Sequence, residues 1–235
     1  MTRDYATQRE RVQAFDGIAA GYDAGYETPL GAFIYAQERR AVASLSSPAG
    51  GQYVLEVGVG TGRFGRGFVA QRARVGLEPS LGMLRQVRSS QADDWALVRG
   101  LAEALPFPEG VFDVVLCVTT LEFLPAPRLA LDEMYRVLRP GGRLIIGVLN
   151  AWSPWAWERR RRARQTLYAH AHFFSPPELW RLLRPYGRTK WGSAVFWPPW
   201  FSKPVPGISQ IWERLGGLVL KPWGAFLVAV VVKEE

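Results

Sequence analysis

Gly58, Gly60 and Gly62 stand at alternate positions in the run VLEVGVGTGRF, residues 54–64. Glycines so spaced after an apolar strand let backbone N–H groups approach a ligand closely. A tight turn that needs a left-handed residue accounts for one of them, not for three. A dinucleotide loop follows G-x-G-x-x-G, and its third glycine would fall at residue 63, which is Arg. Glu56 stands two residues before the first glycine, where it would repel a pyrophosphate. A carboxylate there suits a ligand with an ammonium group. S-adenosylmethionine carries an ammonium, a carboxylate and a sulfonium, so the loop favours it over NAD. Glu78, eighteen residues beyond Gly60, ends the next apolar segment and can accept both hydroxyls of a ribose. Met83, one turn further on, can lie over an adenine face or join the core.

Short apolar runs alternating with helical segments position these residues. Segments 53–57, 75–77, 95–98, 111–118 and 143–149 read as strands; 81–89 and 128–138 read as helices, the latter stopped by RPGG. A further helix is expected directly after the glycine loop. This alternation predicts an α/β fold with a parallel sheet covered on both faces. Upstream, Phe15, Ile18, Ala19 and Tyr22 recur at helical spacing, and a Gly/Pro-broken stretch follows to Gly31. Residues 33–45 form a second amphipathic segment, ending in the loop SSPAGG. Downstream, Ser175-Pro176-Pro177-Glu178 is a helix start with a Ser N-cap, Pro in the first turn and Glu at N3. Segments 190–197 and 225–233 are β-rich and can pair at the sheet edge, joined by an aromatic, Pro-rich excursion over 198–223. One domain over 1–235 is expected. It comprises a helical cap (1–50), a cofactor-binding core (51–149) and acceptor-side insertions at 150–174 and 198–223.

In order and spacing, EVGVGTG (56–62), GLEPS (76–80), GLAEALPFPEGVFDVVLC (100–117) and LRPGGRLIIGV (138–148) resemble the class I S-adenosylmethionine-dependent methyltransferases. They look most like the small-molecule branch that includes the ubiquinone/menaquinone-biosynthesis enzymes. Phe15-Asp16-Gly17-Ile18-Ala19 with Tyr22-Asp23 matches that branch's F-D-x-x-A-x-x-Y-D signature. The likeness covers roughly residues 12–190. It implies a Rossmann-like class I methyltransferase fold: a mostly parallel seven-stranded sheet with an antiparallel last strand and a helical N-terminal cap.

The resemblance also implies roles. Gly58, Gly60, Thr61 and Gly62 would wrap the methionine portion, with Glu56 approaching its ammonium directly or through water. Glu78, followed by Pro79, would hold the ribose, and Met83 would lie near the adenine. Leu101 and Ala102 would meet the adenine edge, with Glu103 close by. Val118 and Thr119 would sit near the sulfonium, and Tyr22 would close over the carboxylate end. Two departures matter. Position 101 is usually Asp or Asn in the family and is Leu here, which leaves the adenine amino group to Glu103 or backbone. The stretch TTLEFLP after the fourth strand lacks the His often found there, so no family base carries over.

Methyl transfer from a sulfonium is an in-line displacement, to which an enzyme contributes alignment, exclusion of water and stabilisation of the charge shift. A base is needed only where the acceptor loses a proton. His170, His172, Glu122, Tyr26 and Tyr168 are the candidates, each with an ordinary packed or solvated role as the alternative. No catalytic residue is assigned, and no metal is called for.

The chain has 235 residues, 48% hydrophobic and 21% charged, a globular composition. Cys117 is the one cysteine, so a reducing, cytoplasmic setting is expected. The N-terminus lacks the apolar core of a signal peptide, and no apolar run reaches the ~20 residues of a spanning helix. The net charge of +8 is lopsided: residues 150–235 hold 13 Lys and Arg against 5 Asp and Glu, while 1–149 balance at 16 each. Nine of the ten tryptophans share that basic stretch. Trp152, Trp155, Trp157, Trp197, Trp200, Trp212 and Phe201 suggest a greasy or flat acceptor, or a surface in peripheral contact with a membrane; a packed cap is the plainer reading. Arg159, Arg160, Arg161 and Arg162 span ~300° of a helix and cannot form a one-faced basic anchor, so a solvated helix is the default for them.

The leading function is therefore a methyltransferase acting on a small hydrophobic or aromatic molecule. Alternatives are an RNA methyltransferase, whose partner the sequence disfavours for want of an RNA-binding motif, and a non-catalytic S-adenosylmethionine-binding regulator. A dehydrogenase is remote.

Overall fold

The computed structural model describes residues 5–46, 51–67, 72–89, 95–162 and 167–234. The chain begins with three helices, α1 (Tyr5–Ile18), α2 (Ala24–Glu27) and α3 (Pro29–Ser46). Then come β1 (Tyr53–Val57), β2 (Ala73–Leu77), α4 (Leu81–Ser89), β3 (Trp95–Val98), β4 (Phe112–Val118), α5 (Pro127–Val137) and β5 (Leu138–Leu149). The last third holds α6 (Pro154–Arg162), α7 (Pro176–Leu183), β6 (Thr189–Ala194), α8 (Ile208–Val219) and β7 (Phe226–Val232).

The strands form one seven-stranded sheet in the order β3-β2-β1-β4-β5-β7-β6. β1 to β5 pair in parallel, whereas β7 lies between β5 and β6 and runs antiparallel to both. The Rossmann-like sheet, the antiparallel last strand and the helical N-terminus are thus as expected. The strand order reverses between β1 and β4, and sheets of this kind bind ligands at the carboxyl ends beside such a reversal.

Period-2 alternation sorts the core into two layers. Val115 and Cys117 of β4 pack with Leu144 and Ile146 of β5 under α5 and α7, through Leu131, Met134, Leu179 and Leu183. Val114, Leu116 and Val118 face the other way, with Ile145, Phe226 and Val228, under Val42 of α3. Burial on both faces explains why β4 reads FDVVLCV, nearly continuous in apolar residues rather than alternating. Each fully buried Leu or Ile contributes roughly 1.5–3 kcal/mol on either face. The helix start foreseen at Ser175 is present, with the capping box to Glu178 formed.

Several expectations shift. Where a helix was anticipated after the glycine loop, the described residues form only a 3-10 turn, Gly65–Gly67, whose two glycines oppose helix propagation. β5 begins at Leu138, which pairs with Phe112; RPGG then forms an irregularity, with Gly141 at φ 73°, before regular pairing resumes at Arg143. β6 stops at Ala194, short of Trp197, because Val195 turns left-handed at φ 65°. The excursion over 198–223 contains α8, whose period is masked in the sequence by flanking prolines and tryptophans. Of SSPAGG, residues 47–50 lie outside the described residues. No helix among the described residues is long and apolar enough to cross a membrane.

Candidate functional site

At the carboxyl ends of β1, β2 and β4 lies a cleft of about 970 Å³, its open mouth included. Tyr22, Glu56, Gly58, Gly60, Thr61, Glu78, Pro79, Met83, Leu101, Ala102, Glu103, Val118 and Thr119 all line it. Gly62 does not; it sits behind the wall, where its φ of 80° closes the turn. Gly58, at φ 73°, has no room for a side chain, since a Cβ would lie 2.2 Å from Thr120 Oγ1. Gly60, at φ 53°, has open space where its Cβ would be. Thr119 ends β4 at φ 48°, a strained setting for a β-branched residue, held by its N–H bond of 2.8 Å to the Gly147 carbonyl.

Backbone amides aim the carboxylates. Glu78 Oε2 accepts from the Gly60 N–H at 3.1 Å, and Oε1 from the Ser80 N–H at 3.0 Å. This ties the end of β2 to the glycine loop. Glu56 Oε2 accepts from the Gly65 N–H at 3.0 Å, so half of that carboxylate is committed inside the protein. Burial raises Glu56 to about 8 and Glu78 to about 7, against the opposing pull of those amide bonds. Burial also raises Glu103. Its Oε2 lies 3.5 Å from Gln8 Nε2, while Oε1 is buried without a partner.

The N-terminal helices form the far wall. Gln8, Arg11, Val12 and Phe15 of α1 line the cleft at helical spacing. Two aspartates of the F-D-x-x-A-x-x-Y-D signature dock this cap. Asp16 Oδ1 accepts from Ser80 Oγ at 2.5 Å and from the Gly82 N–H at 2.8 Å, at the start of α4. Asp23 accepts from Thr61 Oγ1 at 2.8 Å and pairs with Arg63 Nε at 2.8 Å. Arg11 Nη1 donates to the Phe123 carbonyl at 2.8 Å, joining α1 to the loop after β4.

Residues 55–146 match the family model described as a methyltransferase domain. An uncharacterized protein of Mycobacterium tuberculosis is 37% identical over 162 residues, 68% of this chain and 54% of that one. A demethylmenaquinone methyltransferase of Renibacterium salmoninarum is 36% identical over 133 residues, 56% of this chain and 55% of that one. The solved structure of a SAM-dependent methyltransferase from Thermotoga maritima matches at 30% identity with a TM-score of 0.76, covering 95% of this chain and 100% of that one. The chain belongs to the S-adenosylmethionine-dependent methyltransferases. It spans little more than half the length of the mycobacterial and Renibacterium relatives.

The cleft of this family member fits S-adenosylmethionine. Glu103 Oε1, buried without a hydrogen-bond partner, is an acceptor of the kind an adenine amino group satisfies. The open face of Gly60 and the acids Glu56 and Glu78 line the same cleft. Sequence reasoning missed Gln8, Arg11, Val12, Arg63, Phe64, Thr120, Phe123, Leu124 and Pro125 in the lining. The α1 residues carried a readable signal: 8, 11, 12 and 15 continue the stripe of Ala19 and Tyr22 upstream. The loop residues carried none.

Of the candidate bases, only Tyr26 lines the cleft. Burial pushes its phenol far above the ordinary range, as it does for Tyr22, with which it shares a hydrogen bond. A phenol so held donates hydrogen bonds and does not abstract protons. Glu122 is fully buried beneath, with Oε1 accepting from the Leu149 N–H at 2.5 Å. His172 is exposed and bonded to Glu178 Oε1 at 2.6 Å. Tyr168 meets Phe173 edge-on at 6.0 Å and does not itself line the cleft, though it lies close to Tyr22 and Tyr26, which do. His170 ends the turn Leu167–His170, and its side chain lies outside the described ones. The arginine run divides as its angular spread requires. Arg159 turns inward between Trp155 and Tyr168, whereas Arg160 and Arg161 are exposed. The side chain of Arg162 also lies outside the described ones.

Proposed function

We propose that this chain transfers a methyl group from S-adenosylmethionine to a small hydrophobic, aromatic acceptor of the quinol type. The observation that carries this reading is one cleft with two chemistries. Its lining combines the glycine loop and the acids Glu56, Glu78 and Glu103 with the aromatic and apolar side chains of Phe15, Tyr22, Tyr26, Phe64, Phe123 and Leu124. The demethylmenaquinone methyltransferase relative supports the acceptor class.

Bound S-adenosylmethionine supplies the methyl on a sulfonium, ready for in-line displacement. The chain's own residues bind and orient. Gly58, Gly60 and Thr61 would cradle the methionine portion, with the free oxygen of Glu56 toward its ammonium. Glu78, fixed by the Gly60 and Ser80 amides, would hold the ribose, with Pro79 and Met83 beside the adenosine. Leu101, Ala102 and the free Glu103 Oε1 would meet the adenine. Arg63, over the Tyr26 ring at 4.6 Å, would face the methionine carboxylate with Tyr22. Val118 and Thr119 would border the reacting centre, and α1 would exclude water from it. The proton that the acceptor gives up would pass to bulk solvent once the cleft opens for product release.

Titration calorimetry with S-adenosylhomocysteine tests the core of this. We expect wild-type binding, and a loss of about tenfold to a hundredfold in Glu78→Ala from its charge-assisted hydrogen bonds. Absence of wild-type binding overturns the reading. Radiolabelled methyl transfer to a reduced quinone analogue, set against bulk tRNA, then separates the acceptor classes.

A further inference from the structure

α8 is an amphipathic helix turned inside out. Its inward face consists of Ser209, Glu213 and Gly216. Gly216 permits the contact, since a Cβ there would lie 2.2 Å from Phe196. The Glu213 carboxylate accepts from the backbone N–H groups of Val195, Phe196 and Trp197 at 3.0, 2.6 and 3.0 Å, and so moors the helix to the end of β6. The outward face carries Ile208, Ile211, Leu215, Leu218 and Val219 at helical spacing, Leu218 being 82% and Val219 75% exposed. A globular helix normally does the reverse.

Neighbouring residues extend this face. Trp200 and Phe201 precede α8, Trp212 sits on its flank and Trp223 follows it, all exposed. Trp212 Nε1 donates to the Phe196 carbonyl at 2.8 Å, so its ring is held in place. Across 198–223 the only acid is Glu213, which points inward, while Lys203 and Arg214 are exposed. The segment leaves β6 at its carboxyl end and enters β7 at its start, which puts α8 on the same edge of the sheet as the cofactor cleft.

We propose that α8, with the flanking tryptophans, docks on an anionic lipid bilayer and lays its apolar face into the interface. Apolar residues on one side, tryptophans at the boundary and cations beside them are what an interfacial helix presents to acidic headgroups. A second copy of the chain fits less well, since a twofold contact would bring Lys203 and Arg214 against like charges. RNA would leave the apolar face without a use. The proposal stands apart from the acceptor reading, because it needs no turnover.

Flotation of the whole protein with phosphatidylcholine vesicles, with and without phosphatidylglycerol, tests it. We expect flotation with the anionic vesicles, weakened by salt, and about tenfold weaker partition for Leu218→Glu/Val219→Glu. Lys203→Glu/Arg214→Glu should lose the preference for phosphatidylglycerol. Both double variants alter exposed side chains only, and unchanged binding of S-adenosylhomocysteine reports an intact fold. Three outcomes overturn the proposal: wild type that stays with the pellet fraction, flotation that Leu218→Glu/Val219→Glu leaves unchanged, or a dimer in sedimentation velocity that this variant dissociates.

Discussion

Glu56 and Glu78 are carboxylates that a cation must ionise. In the cofactor-free protein, burial holds them to about 8 and about 7, so near neutral pH both keep much of their proton. A ligand bearing an ammonium and a sulfonium favours their charged forms, and its binding therefore releases protons. Affinity for S-adenosylmethionine should then rise between about pH 6 and about pH 8 and level off above. Calorimetry in buffers of differing ionisation enthalpy measures the proton release directly. Glu56→Gln should reduce the release, and an affinity that falls across this range contradicts the assignment. For Glu103, whose Oε1 is buried without a hydrogen-bond partner, the proposed ligand group is a neutral amino group instead.

Among the elements, α1 has little hold on the protein apart from a few side chains, and Asp16 is central to them. It bridges the chain before α2 to the start of α4, where Gly82 leaves space for the approach. Asp16→Ala leaves the sheet intact but frees the far wall of the cleft. Binding of S-adenosylhomocysteine should weaken about tenfold, in line with losing charge-assisted hydrogen bonds. Calorimetry at matched thermal stability checks this, and unchanged affinity would show that α1 is dispensable to the site. The same region marks how far the sequence could be read. β1, β4 and the second half of β5 were legible because both-face burial demands apolar runs, and the glycine loop because its φ values demand glycine. The aspartates of the signature were visible as letters, but not as bridges, because their partners Ser80 and Thr61 lie far along the chain. α8 was not legible at all. Its inward face is small and polar, so its pattern follows what it presents outward rather than a core.

At the scale of the whole molecule, four buried glutamates set the response to pH. Glu38, Glu56, Glu78 and Glu122 are raised by burial to about 7, 8, 7 and 8, from an ordinary 4.5. Between about pH 5 and about pH 8 the folded chain thus holds more protons than the unfolded one, and stability falls as pH rises. The thermal midpoint of the cofactor-free protein should be higher near about pH 6 than near about pH 8, by calorimetric scanning. A midpoint that climbs over this range would mean that the four acids are ionised in the fold. The charge asymmetry also takes on a spatial meaning. The basic third of the chain supplies α8 and its surroundings, while the balanced remainder supplies most of the cofactor cleft. Cys117 lies near the carboxyl end of β4, a central strand of the sheet, with no exposed surface, and burial pushes its thiol well above the ordinary range. A thiol reagent reaches it only when the layer of α5 and α7 lifts from the sheet. Its labelling rate therefore times the opening of that layer, and the wild-type chain carries its own unfolding clock without an added probe.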